Sequence, residues 1–279
     1  MGIKIVTDST CDISMDLKKE LDIEIVPLTV IFGDKEYADG IDISKKEFYE
    51  LMRSSESLPK TSQVTPLAFE EVFKKILDEG DEVLGIFISS ELSGTYQSAT
   101  IAKSTLGGDK IHLIDSETTT FGLAALVYEA IRLRDNGNDI DSTIIALEEL
   151  KKKVVVYAAI ENLTYLKKGG RLSSVGATIG TMLNLKPIVE IKHGKINAIH
   201  KSRGYNKALD WIIKKALEVG VDTSKPVYFG HSDAFEKAEN FSKSAHETID
   251  IKESKIIDLG ITVGTHGGPG CVGLGFFTK

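Results

Sequence analysis

The sequence predicts an α/β fold in two parts. Residues 1–155 read as a three-layer α/β domain with a mostly parallel sheet, and residues 156–279 as an α+β domain with a mixed or antiparallel sheet. Three observations predict this. Short β-branched runs alternate with helical periodicity through the first half, as βαβ units require. A tight hairpin pattern appears in the second half. The 279 residues exceed a typical domain of about 100–200, while 42% hydrophobic and 27% charged residues are an ordinary globular balance.

The elements follow in order. Apolar runs at 3–7, 23–32, 83–88 and 111–114 read as strands; the second is interrupted by Pro27, and the first and last end in Asp8-Ser9 and Asp115-Ser116. Between them, Leu67, Phe69, Val72, Phe73, Ile76 and Leu77 share one face of a helix over 66–77. Residues 124–133 and 140–150 show the same period. The pattern changes near Lys151, and the domain boundary is placed near residue 155 although no linker marks it. A strand at 154–160 is followed by helical stretches at 163–168 and 172–183. Alternating residues at 188–192 and 195–200 flank His193-Gly194 as a hairpin. Helix 205–219, strand 227–230, helix 234–248, strand 255–259 and a glycine-rich strand at 271–278 complete the chain. No internal repeat or low-complexity tract is visible.

Composition excludes several classes. Acids outnumber bases 41 to 34, for a net charge of −7, whereas nucleic-acid binders carry a basic stripe. The basic clusters are short: Lys151-Lys152-Lys153, read as a solvated helix end, and Lys167-Lys168 with Arg171. Cys11 and Cys271 lie far apart without CxxC spacing, which argues against a disulfide scaffold or a zinc site. The N-terminus has no secretory apolar region, and no apolar run reaches the roughly 18 residues of a membrane span. A cytoplasmic location and no integral membrane segment are therefore expected.

Familiar catalytic motifs fail. Gly268-Pro269-Gly270-Cys271-Val272-Gly273 matches GxGxxG, but no helix or downstream acid can follow it. Lys195 follows Gly194, but Ile196 stands where a phosphate loop needs Ser or Thr. No GxSxG elbow exists, so the similarity of His266-Gly267-Gly268 to a lipase oxyanion loop carries little. Asp8, Asp12 and Asp115 lack metal-ligand spacing and read as turn or cap residues.

Three polar segments remain. Thr61-Ser62-Gln63 lies between Pro59 and Pro66; a cap at Thr65 with Pro66 behind it explains those two residues but not the preceding three. Ser89 to Tyr96 follows a buried-type strand and opens a helix. Ser93 sits at the expected N-cap, where unsatisfied N–H groups and the helix dipole favour an anion, and Gly94 lets a ligand approach the backbone. Simple capping by Ser93 explains the same residues equally well. In the third segment, glycines surround His266, whose ring and Thr265 can donate to an anion, and few neighbouring side chains are available to bury it. Together these point to one small anionic head group, held by hydroxyls, a helix N-terminus and a histidine. No nucleophile–base–acid set emerges, so a binding module is favoured over a catalyst.

The chain resembles the DegV family of bacterial fatty-acid-binding proteins, which includes the binding subunits of fatty acid kinase. The matching segments are Val6-Thr7-Asp8-Ser9 with Asp12, Tyr37-Ala38-Asp39-Gly40, Thr61-Ser62-Gln63, the stretch from Ser89 to Ser98, that from Leu163 to Arg171, and His266-Gly267-Gly268-Pro269-Gly270. They run in order through essentially the whole chain. The resemblance implies a long-chain fatty acid such as palmitate, its acyl chain in a tunnel and its carboxylate at the domain junction. Thr61, Ser93, Gly94 and His266 would hold the carboxylate, with Ser62, Thr95 and Thr265 as secondary contacts. Arg171 and Arg203 would meet a separate ATP-dependent fatty acid kinase catalytic subunit or the acyl-phosphate product; for Arg171, capping a helix or pairing with an acid is an equal alternative. Apolar residues of the second half, such as Leu163, Leu166, Ile179, Met182 and Ile188, are tunnel candidates, each also explicable as ordinary core. No cofactor, metal or nucleic acid is implied, and membrane contact would be transient. Two rivals stand beside this: a stand-alone acyl hydrolase or transferase using Ser93 and His266, and a sugar- or phosphate-ligand enzyme on the same framework.

Overall fold

The computed structural model describes residues 2–55, 57–173 and 185–279. The first half runs β1 (Ile3–Asp8), β2 (Ile23–Val26), β3 (Thr29–Phe32), β4 (Lys35–Ala38), α1 (Lys45–Ser54), β5 (Lys60–Ser62) and α2 (Pro66–Asp78), then β6 (Glu82–Phe87), α3 (Thr95–Thr105), β7 (Ile111–Asp115), α4 (Thr120–Asp135) and α5 (Ile140–Lys151). The second half runs β8 (Val154–Ala159), α6 (Thr164–Lys168), β9 (Leu185–Lys192), β10 (Lys195–Arg203) and α7 (Tyr205–Val219), then β11 (Val227–His231), α8 (Phe235–Thr248), β12 (Ser254–Asp258), α9 (Ile261–Gly267) and β13 (Val272–Phe277).

The first sheet is parallel, in the order β2-β1-β6-β7. Its strands are covered on both faces, which is why they read as continuous apolar runs rather than alternating ones. On one face α2 and α3 pack Phe69, Phe73, Ala99 and Ala102 against Val6, Val83 and Phe87. Thr65 caps α2 by accepting the Ala68 N–H at 3.3 Å, with Pro66 in the first turn.

The second sheet is mixed, in the order β10-β9-β8-β13-β11-β12, with β12 alone running parallel to its neighbour. Helices α7 and α8 cover one face through Ala208, Ile212, Ile213, Ala238 and Phe241. Helix α4 lies against the other face and also against the first sheet, so it is buried nearly all round and carries little amphipathic contrast. The predicted hairpin is β9–β10. His193 and Gly194 take φ of 49° and 76°, the paired left-handed residues of a tight turn. Its tip is tied to the first half: Ser89 Oγ donates to the Gly194 carbonyl at 3.0 Å, and the Gly194 N–H donates to the Glu117 carbonyl at 2.9 Å.

Some expectations need correction. The apolar run at 23–32 is two strands in different sheets. Pro27 has no N–H for a ladder, so β2 stops and the Leu28 N–H donates instead to Ser9 Oγ at 3.0 Å. The chain then enters an antiparallel sheet of order β4-β3-β5, where Val30, Phe48, Tyr49, Met52 and Ile261 bring α1 and α9 together. Lys151 is not a solvated helix end: its ammonium reaches the Asp115 carbonyl at 3.2 Å and Glu148 at 2.8 Å. Beyond Ser173, the helix expected at 172–183 lies outside the described residues, as do Ile179 and Met182. Leu172 makes a parallel bridge to Ile196.

Candidate functional site

A cavity of about 270 Å³ lies where α4, the β8–β9–β10 face, α9 and the loops before α2 and α3 converge. Most of its wall is apolar. From β8 and the residue that follows it, Val156, Ala158 and Ile160 line it at alternate positions. Val189 and Ile191 of β9 and Ile196 of β10 continue this surface, and Ile88, Leu92, Leu166 and Leu259 face it. Ile160 to Val156 spans about 13 Å at 3.3 Å per residue. Phe121 closes the wall beside Val156. A Cβ added at Gly230, Gly273 or Gly275 would come within 2.1, 2.8 and 2.6 Å of its ring, so three glycines in β11 and β13 leave the slot that this ring fills.

A smaller part of the lining is polar. Thr61 on β5 sets its hydroxyl 2.9 Å from His266 Nε2 in the last turn of α9. Thr61 is held by the ladder that pairs it with Val30. Gln63 donates to Ser98 Oγ at 2.9 Å and to the Gly94 carbonyl at 3.3 Å, tying the Thr61 segment to α3. A Cβ at Gly94 would lie 2.0 Å from Gln63 Oε1, so this approach needs glycine. Arg171 donates through Nε to the Leu92 carbonyl at 3.0 Å and through Nη1 to the Gly169 carbonyl at 2.7 Å. It therefore bridges two loops at the rim, and among the described residues it pairs with no acid.

His266 is more enclosed than its glycine-rich surroundings suggest. The segment is not an open turn: α9 is a helix, and the ring packs against Gly169, where a Cβ would meet Nδ1 at 2.2 Å. Burial, and secondarily the Arg171 charge, lowers its pKa from 6.5 to about 4. The imidazole is thus neutral at ordinary pH, one nitrogen carrying a proton and the other free to accept. Nδ1 is buried without a hydrogen-bond partner among the described residues.

The remaining candidates fall as follows. The cap of α3 is Gly94, one residue later than expected; Ser93 Oγ instead accepts the Thr95 N–H at 3.3 Å and stands 2.9 Å from Thr95 Oγ1. Ser93, Gly94 and Ser62 line the cavity. Thr95 is fully buried in this pair, off the lining. Thr265 is also off it, because its hydroxyl donates back to the Ile261 carbonyl at 2.8 Å. Arg203 stands exposed at the end of β10. Leu166 lines the cavity, whereas Leu163 and Ile188 are core. Asp8 caps the turn at Ser9 and accepts the Ile88 N–H at 2.8 Å, and Asp115 accepts from Ser90, as turn and cap residues do.

Sequence reasoning missed Thr119, Thr120 and Thr262, which line the cavity and are themselves buried. Thr120 takes φ of 52°, a costly conformation for a β-branched residue and one that clusters at functional sites. The run of three threonines before Phe121 was the available signal.

Comparison with known proteins places the chain in a family. The chain is 37% identical to a DegV domain-containing protein of Caldanaerobacter subterraneus over 99% of both chains. Among solved structures, a Thermus thermophilus DegV family protein described as binding fatty acid superposes with a TM-score of 0.92 at 30% identity, covering both chains completely. A stearic-acid-binding protein of Eubacterium ventriosum gives 0.91 at 31% identity, covering 100% of this chain and 99% of that one. The model of the DegV family, described as uncharacterised proteins, matches residues 2–279, and the chain belongs to that family.

Proposed function

We propose that this chain binds a long-chain fatty acid in the cavity between its sheets and presents the carboxylate to a separate kinase subunit. The observation that carries it is a cavity apolar along most of its wall, with a neutral, hydroxyl-bonded histidine among its polar lining groups. Fatty acid binding by structural relatives that match the full chain supports it. Thr61, Ser93, the Gly94 N–H and His266 would hold the carboxylate where the 1–155 and 156–279 portions meet. Ser62 would be a secondary contact. The acyl chain would run along Ile160, Ala158 and Val156. About fifteen buried carbons at roughly 0.8 kcal/mol each give a gross transfer term of about 12 kcal/mol, so the tail supplies most of the affinity.

A hydrolase using Ser93 and His266 is disfavoured. The ring nitrogen that would serve as base is bonded to Thr61, its charged neighbour is a cation rather than an orienting acid, and its basicity is lowered. On this reading the chain is a cytoplasmic lipid carrier. In that role ATP and Mg²⁺ would belong to the partner, and Arg171 and Arg203 would meet it.

Calorimetry with stearic acid tests the binding: saturable 1:1 heat is expected, and no binding overturns the reading. The presentation step has its own test. Arg171→Ala should keep fatty acid binding while acyl-phosphate formation by a fatty acid kinase catalytic subunit falls; unchanged phosphorylation removes Arg171 from that role.

A further inference from the structure

Three carboxylates that the binding site does not use lie buried behind α9. Asp8, Asp12 and Asp39 are 0%, 7% and 2% exposed. Two of them converge on the start of that helix. Asp12 Oδ1 accepts the Gly260 N–H at 2.8 Å, and Asp39 accepts the N–H groups of Ile261 at 3.1 Å and Thr262 at 3.3 Å, one on each oxygen. Gly260 is the cap residue and has no side chain to do this itself. A Cβ there would sit 3.0 Å from both carboxylates, a contact tight enough that they would have to give way by a few tenths of an ångström.

The other end of α9 carries His266. One small sheet holds the helix at both ends. Thr61 lies in β5, which pairs with β3, and Asp39 directly follows β4, which pairs with β3 on its other edge. The Asp39 N–H is itself fixed to the Leu28 carbonyl at 2.9 Å. Two strand spacings are about 9.6 Å, and five residues of helix from Ile261 to His266 rise about 7.5 Å. The two lengths differ by about 2 Å, close enough for side chains of one sheet to reach both ends of the helix. A seven-residue helix has little stability of its own, so external carboxylates decide where it sits, and with it where Thr262, Val263 and His266 face the cavity.

We propose that Asp39, assisted by Asp12, is a positioning residue of the cavity: its carboxylate clamps the first turn of α9 and thereby seats His266 against Thr61. The carboxylate does not touch the ligand. It acts through the helix, whose Ile261 and Thr262 N–H groups hydrogen-bond it and partly offset the burial that raises its pKa. The consequence for ligand binding rests on the proposed fatty acid site, but the placement of His266 does not.

The test uses the full chain and two readouts. Asp39→Ala is compared with wild type and with Ile76→Val, which thins a core cluster remote from α9. Nitrogen-15 NMR of the histidine rings follows the His266 titration, and calorimetry measures stearic acid affinity. In Asp39→Ala the His266 midpoint should climb from about 4 toward the ordinary 6.5 as the ring loses its enclosure. Stearic acid affinity should fall about tenfold. Ile76→Val should lower thermal stability and leave both readouts in place. A wild-type His266 midpoint in Asp39→Ala, or a shift matched by Ile76→Val, overturns the proposal. If Asp39→Ala does not fold, Asp39→Asn keeps the side-chain volume and one acceptor; an intermediate His266 midpoint supports the proposal and an unmoved one refutes it. A shifted midpoint with no stearic acid binding by wild type would uphold the positioning role and refute the ligand assignment instead.

Discussion

His266 and Thr61 set what the polar part of the cavity can recognise. A neutral imidazole bonded to a hydroxyl leaves one donor for an anion, the Thr61 O–H when His266 Nε2–H donates to it, without adding a second positive charge beside Arg171. Removing one such donor leaves a buried carboxylate under-satisfied. Ser93→Ala or Thr61→Ala should therefore weaken fatty acid binding by about 1–3 kcal/mol, while the matched fatty alcohol loses much less; calorimetry on both ligands checks this, and equal losses would place the head group elsewhere. The buried ring also links to pH. Its pKa is about 4 in the fold against 6.5 in the free chain, so the unfolded chain binds the extra proton and stability falls as pH drops through that window. His266→Gln should lessen this fall, as thermal melts between about pH 4 and 6.5 would reveal. Ser93 and Gly94 were legible because strand, polar turn and helix start follow one another. The Thr61–His266 contact was not, because it joins residues 205 apart that no local pattern connects. The enclosure of His266 was illegible for the same reason: Gly169 and Arg171 arrive from another segment.

At the scale of elements, the parallel sheet, α2 and the β9–β10 hairpin could be read because each is specified by local chemistry: an apolar run, a Thr-Pro cap, paired left-handed turn residues. Helix α9 could not. Gly260, Gly264 and Gly267 argue against a helix by propensity, and tertiary contacts override them. At Gly264 a Cβ would meet Tyr49 Oη at 2.3 Å, so glycine there buys close packing rather than a turn. The small sheet of β3, β4 and β5 was equally hidden, since β5 is three residues long and owes its form to β3. Close approach also gives a sharp prediction. Gly169→Ala drives a methyl group into His266 Nδ1; it should weaken fatty acid binding about tenfold or more, as a clash of 1–3 kcal/mol implies. Urea melts should show the fold retained, and unchanged affinity would mean that the ring is free to move aside.

Across the whole molecule, α4 stands between two sheets and one hydrophobic cluster runs from Ile5 through Phe121 to Phe277. Closing a ligand cavity against that core places polar groups where water is scarce. Burial pushes Asp8 up to about 6 and Asp12 up to about 7. For Asp12 the unfolded value is 3.8, so the folded chain binds the extra proton between about 4 and 7, and this contribution to stability declines as pH rises through that window. Asp12→Asn should accordingly gain stability relative to wild type on going from about pH 5 to 8; a constant difference across that range would show that Asp12 is already neutral or already solvated. The central claim, that the cavity holds an acyl chain, is tested most directly by mass spectrometry of whatever organic ligand is extracted from the protein purified without added lipid. A long-chain fatty acid at near-stoichiometric amount is the expected result. An extract without acyl chains, from protein whose melting temperature fatty acids do not raise, would contradict it.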